Sequence, residues 1–298
     1  LPPPRKRSEM ASIKTNGITM EYESTGDGEP LLLIMGLGGQ LTDWPENVPE
    51  LLASRGFRVI AVDNRDQGLS TEMDWTPPSQ AKSVLGTVVG RPPKAGYLLS
   101  DMAADTAGLL DALGLDSAHV VGASMGGMIA QTLAIEHPSR VRSLTSIMSN
   151  TGDRKAGRPA ARLLAAMARL PEATPATAVD RSVQTFKLIS GPHFDEEVHR
   201  RRAAHSVARS FRPAGTARQT AAIMASPDRT GGLRSLRVPT LVVHGLLDPL
   251  VRPSGGIATA KAVPDSRLLM YPDMGHDLPA PRLGETIEAI RRNAERAS

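Results

Sequence analysis

Apolar and polar residues fall in blocks along this chain, and the blocks change period in a regular order. Ile13 to Tyr22 surrounds Asn16-Gly17, a pair suited to a tight two-residue turn, and predicts a β-hairpin. Leu31-Leu32-Leu33-Ile34-Met35 is apolar at every position, as a parallel strand buried on both faces requires. A helix over 48–55 leads to a second buried strand, Arg58 to Val62. Then come a helix from Asp101 to Leu113, a strand from Ala118 to Val121, a helix opening at Met125 and a strand from Val141 to Met148. Near the C-terminal end the pattern predicts strand Thr240–His244, helix Ile257–Val263, strand Arg267–Tyr271 and helix Leu283–Ala294. Alternating strand and helix predicts an α/β fold, a mostly parallel sheet with helices on both faces.

Two stretches interrupt the alternation. Thr71 to Gly96, with Pro77-Pro78 and Pro92-Pro93, reads as a long rim loop. Asn150 to Arg234 is too long for a bare loop in a compact domain, and its patches Ala160–Leu170 and Asp195–Arg209 predict a small helical lid over 150–235. The core is then 11–149 together with 236–298. Leu163, Leu164, Met167, Phe186 and Ile189 in the lid would either line a substrate pocket or pack the lid helices on the core. Arg200-Arg201-Arg202 reads as a solvated helix face. Residues 1–10 read as a disordered basic tail; no apolar run follows Arg5-Lys6-Arg7, so the tail makes a poor secretory signal.

Composition narrows the chemistry more than the fold. With 298 residues, 40% hydrophobic and 22% charged, the chain suits one α/β domain carrying an insertion. Aromatic residues are only 3%, so Leu, Val, Ile, Ala and Met must fill the core. The absence of cysteine excludes disulfides, a thiol nucleophile and thiolate metal ligation, and it agrees with a cytoplasmic setting. A net charge of +4 without aromatic interleaving or a recognition helix gives no nucleic-acid-binding pattern. No apolar run reaches the roughly 18 residues of a membrane span. No metal and no cofactor are expected. The sequence is silent on oligomeric state.

The chemistry gathers around Val120-Val121-Gly122-Ala123-Ser124-Met125-Gly126-Gly127. A strand, a serine between two glycines and a helix make a nucleophile elbow, in which the hydroxyl is thrust out at the end of the sheet. A serine hydroxyl is a weak nucleophile until a base takes its proton, and in elbow hydrolases the chain order is serine, acid, histidine. Asp248, just past a buried strand, is the fitting acid; His276, in the loop after the last strand, is the fitting base. His119 reads as structural, His244 as a neighbour of the acid loop, and His193, His199 and His205 as lid surface. Asp273 and Asp277 flank His276, but adjacency in sequence does not aim a carboxylate at the ring. Two donors are needed for an oxyanion: the N–H of Met125, after the nucleophile, and that of Leu37 in the loop Gly36-Leu37-Gly38-Gly39. Asp63 to Ser70 reads as a structural loop tied down through Arg65 and Asp66.

Gly122-Ala123-Ser124-Met125-Gly126-Gly127, Asp63-Asn64-Arg65-Asp66-Gln67-Gly68-Leu69-Ser70, Val238 to Asp248 and Gly275-His276 together resemble the α/β-hydrolase superfamily over about residues 12–149 and 236–295. Met35-Gly36 in place of the usual His-Gly, and Arg65-Asp66-Gln67-Gly68 in place of Arg-Gly-x-Gly, depart from the commonest pattern. They resemble the branch that contains aclacinomycin methylesterase. The resemblance implies an esterase, with a methyl ester of a polyketide-like molecule as the finer expectation. Haloalkane dehalogenases and epoxide hydrolases carry aspartate at the elbow, where this chain has Ser124. Perhydrolysis, hydrolysis coupled to decarboxylation, and a ligand receptor that hydrolyses slowly stay open beside ester hydrolysis.

Overall fold

In the computed structural model, residues 9–45, 47–77 and 94–297 are described. The strands are β1 (Glu9–Thr15), β2 (Ile18–Thr25), β3 (Glu29–Ile34), β4 (Phe57–Val62), β5 (Ala118–Ala123), β6 (Val141–Ile147), β7 (Thr240–Gly245) and β8 (Arg267–Tyr271). Helices α1 (Val48–Ala53), α2 (Leu99–Ala112) and α3 (Met125–Glu136) precede β6. Between β6 and β7 lie α4 (Ala161–Met167), α5 (Ala178–Ile189), α6 (Glu196–Arg209), α7 (Pro213–Ala225) and the single turn α8 (Thr230–Leu233). Helices α9 (Ser254–Ala262) and α10 (Ala280–Ala294) complete the order.

One sheet runs β1-β2-β4-β3-β5-β6-β7-β8. β1 and β2 are antiparallel, β2 is antiparallel to β4, and every pairing from β4 to β8 is parallel. The β1–β2 hairpin closes at Asn16 and Gly17, both at positive φ (43° and 78°), the backbone that matches the twist of the strands it joins. Glu9 and Met10 pair with Ser24 and Glu23, so β1 begins inside the stretch 1–10 expected as a disordered tail. Residues 1–8 of that tail, and 78–93 of the expected rim loop, lie outside the described residues.

The all-apolar strands are explained by two cores. Leu32, Ile34 and Val120 pack beneath α2 and α3, while Leu31, Leu33 and Val121 pack against α1 and α10 on the opposite face. Successive side chains of a strand point to opposite faces, so a strand covered on both sides has no polar position to offer. Leu31 to Ile34 are all fully buried, each contributing about 2 kcal/mol of transfer free energy.

The stretch 150–235 holds more helix than the sequence pattern predicts. α4 and α6 fall on the expected patches, and Asp195 caps α6 by accepting from Val198 N–H at 3.0 Å. α5 and α7 are additional. α7 buries Gly215, Ala221 and Ala222, small residues that give little hydrophobic period to read, whereas α5 buries Val183 and Ile189 beside Ala178. Among the described residues no helix is long and apolar enough to cross a membrane.

Candidate active site

β5 ends at Ala123 and α3 begins at Met125, leaving Ser124 alone in the corner. Its backbone takes φ 55° and ψ −118°, a region unfavourable to any residue with a Cβ. The turn is tight enough that a Cβ on Gly122 would strike the carbonyl oxygen of Gly126, and one on Gly126 that of Ile34. Ser124 N–H donates to Ile147 O at 2.9 Å, fixing the corner to β6. The hydroxyl therefore stands at the carboxyl edge of the parallel sheet, over the positive end of the α3 dipole.

The other two chemistry-bearing side chains come from loops that leave neighbouring strands at the same edge. Asp248 follows β7 and His276 follows β8. Asp248 Oδ2 lies 2.7 Å from His276 Nδ1, and His276 Nε2 lies 3.0 Å from Ser124 Oγ. An ionised carboxylate can only accept, so Nδ1 carries the ring proton and Nε2 faces the serine as an acceptor. The second carboxylate oxygen accepts from Leu250 and Val251 N–H at 2.8 and 2.9 Å. Burial alone would push this carboxyl up. The charge of His276 and hydrogen bonds from His244 and His276 outweigh burial, and the group ends below the ordinary aspartate range. His244 donates from Nε2 to Val251 O at 2.7 Å, bracing the acid loop from inside the sheet, as its place beside that loop suggested.

The loop after β3 passes directly beside Ser124. A Cβ built on Gly36 would sit 3.1 Å from Ser124 Cβ and 3.6 Å from its Oγ. The N–H groups of Leu37 and Met125 have no acceptor among the described residues. This loop is held from two sides. Asn64 donates to Met35 O at 3.0 Å, and Gln219 of α7 accepts from Gly38 N–H at 2.9 Å while donating to Arg65 O at 2.9 Å. Gln40 donates to Ser206 O and Ser210 O at the end of α6. Sequence reasoning missed Asn64, Gln40 and Gln219. Gln219 is 181 positions from its partner Gly38, and an amide in an alanine-rich helix carries no local signal.

Asp63 to Ser70 is structural, as its sequence suggests. Arg65 makes a bidentate pair with Asp105 at 2.6 and 2.7 Å, and Asp66 meets Arg218 at 2.8 Å and the Tyr97 hydroxyl at 2.7 Å. Asp273 pairs with Arg282 and His193 rather than with His276. His119 is buried between Ser143 and Glu29, and His205 is exposed. His199 is the exception to the expected lid surface: it is buried, with Phe186 stacked on it at 4.1 Å and Phe194 at 5.5 Å. Phe186 thus serves the packing of α5 on α6, and Leu163 and Ile189 are likewise buried. Leu164 is half exposed.

A doubly covered parallel sheet with serine, acid and histidine at its carboxyl edge is the arrangement of an α/β hydrolase. Residues 29–280 match the family described as alpha/beta hydrolase fold, and the chain belongs to it. Among relatives, the chain is 28% identical over 294 residues to rhodomycin D methylesterase DauP of Streptomyces sp. (strain C5), covering 90% of this chain and 92% of that one. It is 30% identical over 286 residues to the putative non-heme bromoperoxidase BpoC of Mycobacterium tuberculosis, covering 87% and 91%. The solved esterase RhEst1 from Rhodococcus sp. ECU1013 superposes with a TM-score of 0.75 at 22% identity, covering 98% of this chain and 100% of that one, a likeness of fold.

Proposed function

We propose that this protein is a serine carboxylic-ester hydrolase, with Ser124 as nucleophile, His276 as base and acid, and Asp248 as the group that orients the imidazole. The observation that carries the reading is the pair of contacts on one ring: His276 sits 3.0 Å from Ser124 Oγ and 2.7 Å from Asp248 Oδ2. Ser124 Oγ adds to the ester carbonyl as its proton passes to His276 Nε2. The N–H groups of Leu37 and Met125 hold the oxyanion, and His276 returns the proton to the departing alcohol. Water, deprotonated by the same nitrogen, then releases the acid and restores Ser124. The helices of 150–235 act as the lid that sets substrate size.

The similarity to rhodomycin D methylesterases along nine-tenths of the chain supports a methyl ester of a bulky polyketide-like acid as the substrate class. The test is a panel of p-nitrophenyl esters of rising chain length beside bulky methyl esters, with methanol release followed for the latter. Ser124→Ala is expected to lower turnover on the order of a millionfold while remaining folded. A variant that keeps a tenth of the wild-type rate would remove Ser124 from the nucleophile's role. A panel hydrolysed only at short acyl chains would remove the polyketide reading and leave the esterase.

Similarity to the bromoperoxidase BpoC supports one second reading, perhydrolysis. In it hydrogen peroxide replaces water against the acyl-enzyme and leaves as a peracid. Peracid formed from acetate and peroxide faster than ester is hydrolysed would favour it.

A further inference from the structure

His276 does not depend on its own loop alone. Its backbone N–H donates to Ile189 O at 2.7 Å, a carbonyl at the last residue of α5 in the inserted helices. Two residues further, Gly191 N–H donates to Asp277 Oδ1 at 3.2 Å, and the same oxygen accepts Gly275 N–H at 2.9 Å. One carboxylate oxygen therefore joins the insertion to the loop that carries the base. The two backbones lie in direct contact. A Cβ on Gly275 would fall 2.5 Å from Gly191 N and from Ile189 O, and one on Gly191 would fall 2.6 Å from Asp273 O. Asp277 is not a second acid for the imidazole, because its hydrogen-bonded oxygen is committed to these N–H groups and Asp248 already occupies Nδ1.

From this geometry we infer that Asp277 is a positioning residue, and that through it the segment Ile189–Gly191 holds His276 at reacting distance from Ser124. The inference rests on the esterase reading above and adds a requirement to it: the inserted helices support the catalytic base as well as cover the substrate. The physical ground is the sensitivity of proton transfer to placement. An imidazole on a loop between β8 and α10 needs a fixed backbone, and a misplacement of about 1 Å costs on the order of a hundredfold in rate. Gly275 and Gly191 are glycine because the two chains approach within contact distance where any side chain would separate them.

The test uses the full-length protein and compares Asp277→Ala, Asp277→Asn and Gly191→Ala. Asn keeps an acceptor oxygen and removes the charge; Ala removes both. Gly191→Ala strains the contact from the insertion's side without altering the histidine loop's own sequence. Two quantities are read: kcat and KM on a p-nitrophenyl ester, and the rate at which a p-nitrophenyl phosphonate labels Ser124, which reports the base without substrate binding. Asp277→Ala and Gly191→Ala are expected to lower kcat and the labelling rate together by about tenfold or more. KM should stay close to wild type, and Asp277→Asn should recover most of the loss. Wild-type kcat and labelling in Asp277→Ala would overturn the inference, as would an Asp277→Asn variant as impaired as Asp277→Ala, since charge and not the hydrogen bonds would then be at work. If Asp277→Ala does not fold, wild-type rates in Gly191→Ala overturn it by themselves. The Ser124→Ala blank keeps the two claims apart: activity surviving there defeats the esterase reading, whereas activity surviving only in Asp277→Ala defeats this one.

Discussion

Ser124 is held at φ 55° because the strand–turn–helix on either side leaves it no other place, at a cost of order 1–3 kcal/mol. The strain keeps the hydroxyl raised, while the backbone N–H still bonds to Ile147 O of β6. Asp248 shows the complementary arrangement. It is fully buried, yet two backbone N–H groups and two histidines keep it ionised, so the ring of His276 has a permanent acceptor on Nδ1. Asp248→Asn is expected to fold normally and to lower kcat up to about ten-thousandfold, because an amide can donate to Nδ1 and favour the wrong tautomer. Circular dichroism with steady-state kinetics checks this. Asp273→Asn should leave turnover close to wild type, since that carboxylate faces Arg282 and His193. A crippled Asp273→Asn with an active Asp248→Asn would reverse the assignment.

Helices α5 and α6 show how an element can be stabilised through a titratable core. His199 lies between Phe186 and Phe194, with Ser182 on Nε2 and the Arg202 guanidinium on Nδ1. Burial, and then the charge of Arg202, lower its pKa from 6.5 to about 4. The sign follows from proton binding: between those two values the unfolded chain takes up a proton that the folded chain refuses. Stability is therefore full above about pH 7 and falls as the pH drops toward 4, by on the order of 2 kcal/mol for this one group. His119, lowered chiefly by burial, adds to the same slope, so the informative measurement is a difference. Urea denaturation of wild type and His199→Gln at several pH values should give a shallower pH dependence for the variant. Parallel curves would place the acid sensitivity elsewhere.

The insertion and the sheet are joined by buried charge as well as by packing. Arg218 of α7 reaches Asp66 at 2.8 Å and Glu72 at 2.8 Å, and Arg209 at the end of α6 reaches Asp63 at 2.7 Å. Asp63 in turn accepts Leu41 N–H at 2.7 Å and Leu69 N–H at 2.9 Å. The same acidic segment thus fixes the loop beside Ser124 and the helices above it. Arg218→Leu leaves the buried Asp66 carboxylate without its ion-pair partner, held only by the Tyr97 hydroxyl and Met73 N–H, and is expected to destabilise by about 3 kcal/mol. The inserted helices should then be cut earlier under limited proteolysis. Adding Asp66→Asn to that variant should cost less than Asp66→Asn alone, as groups sharing one interaction are not additive. Full additivity in the double-mutant cycle would show that the two act independently.

The sequence by itself determined the parts whose cause is local. A run such as Leu31 to Ile34 has to be a strand covered on both faces, and glycines on either side of Ser124 have to allow a close turn. Serine, acid and histidine could be named because each ends an apolar run at the same edge of a parallel sheet, and the structure brings Ser124, Asp248 and His276 within hydrogen-bond reach. Helix α7 is not legible, since its buried apolar positions are alanine and glycine, and burial of small residues depends on what lies opposite. His199 was misplaced on the surface for a related reason: a histidine in a charged helix is exposed until two rings from other segments close over it. What only the tertiary structure decided are the contacts made by backbone groups across long separations, Ile189 O to His276 N–H and Gln219 to Gly38 N–H. A carbonyl or an N–H is the same at every position, so no residue type announces which one will be used; the path of the folded chain alone makes that choice.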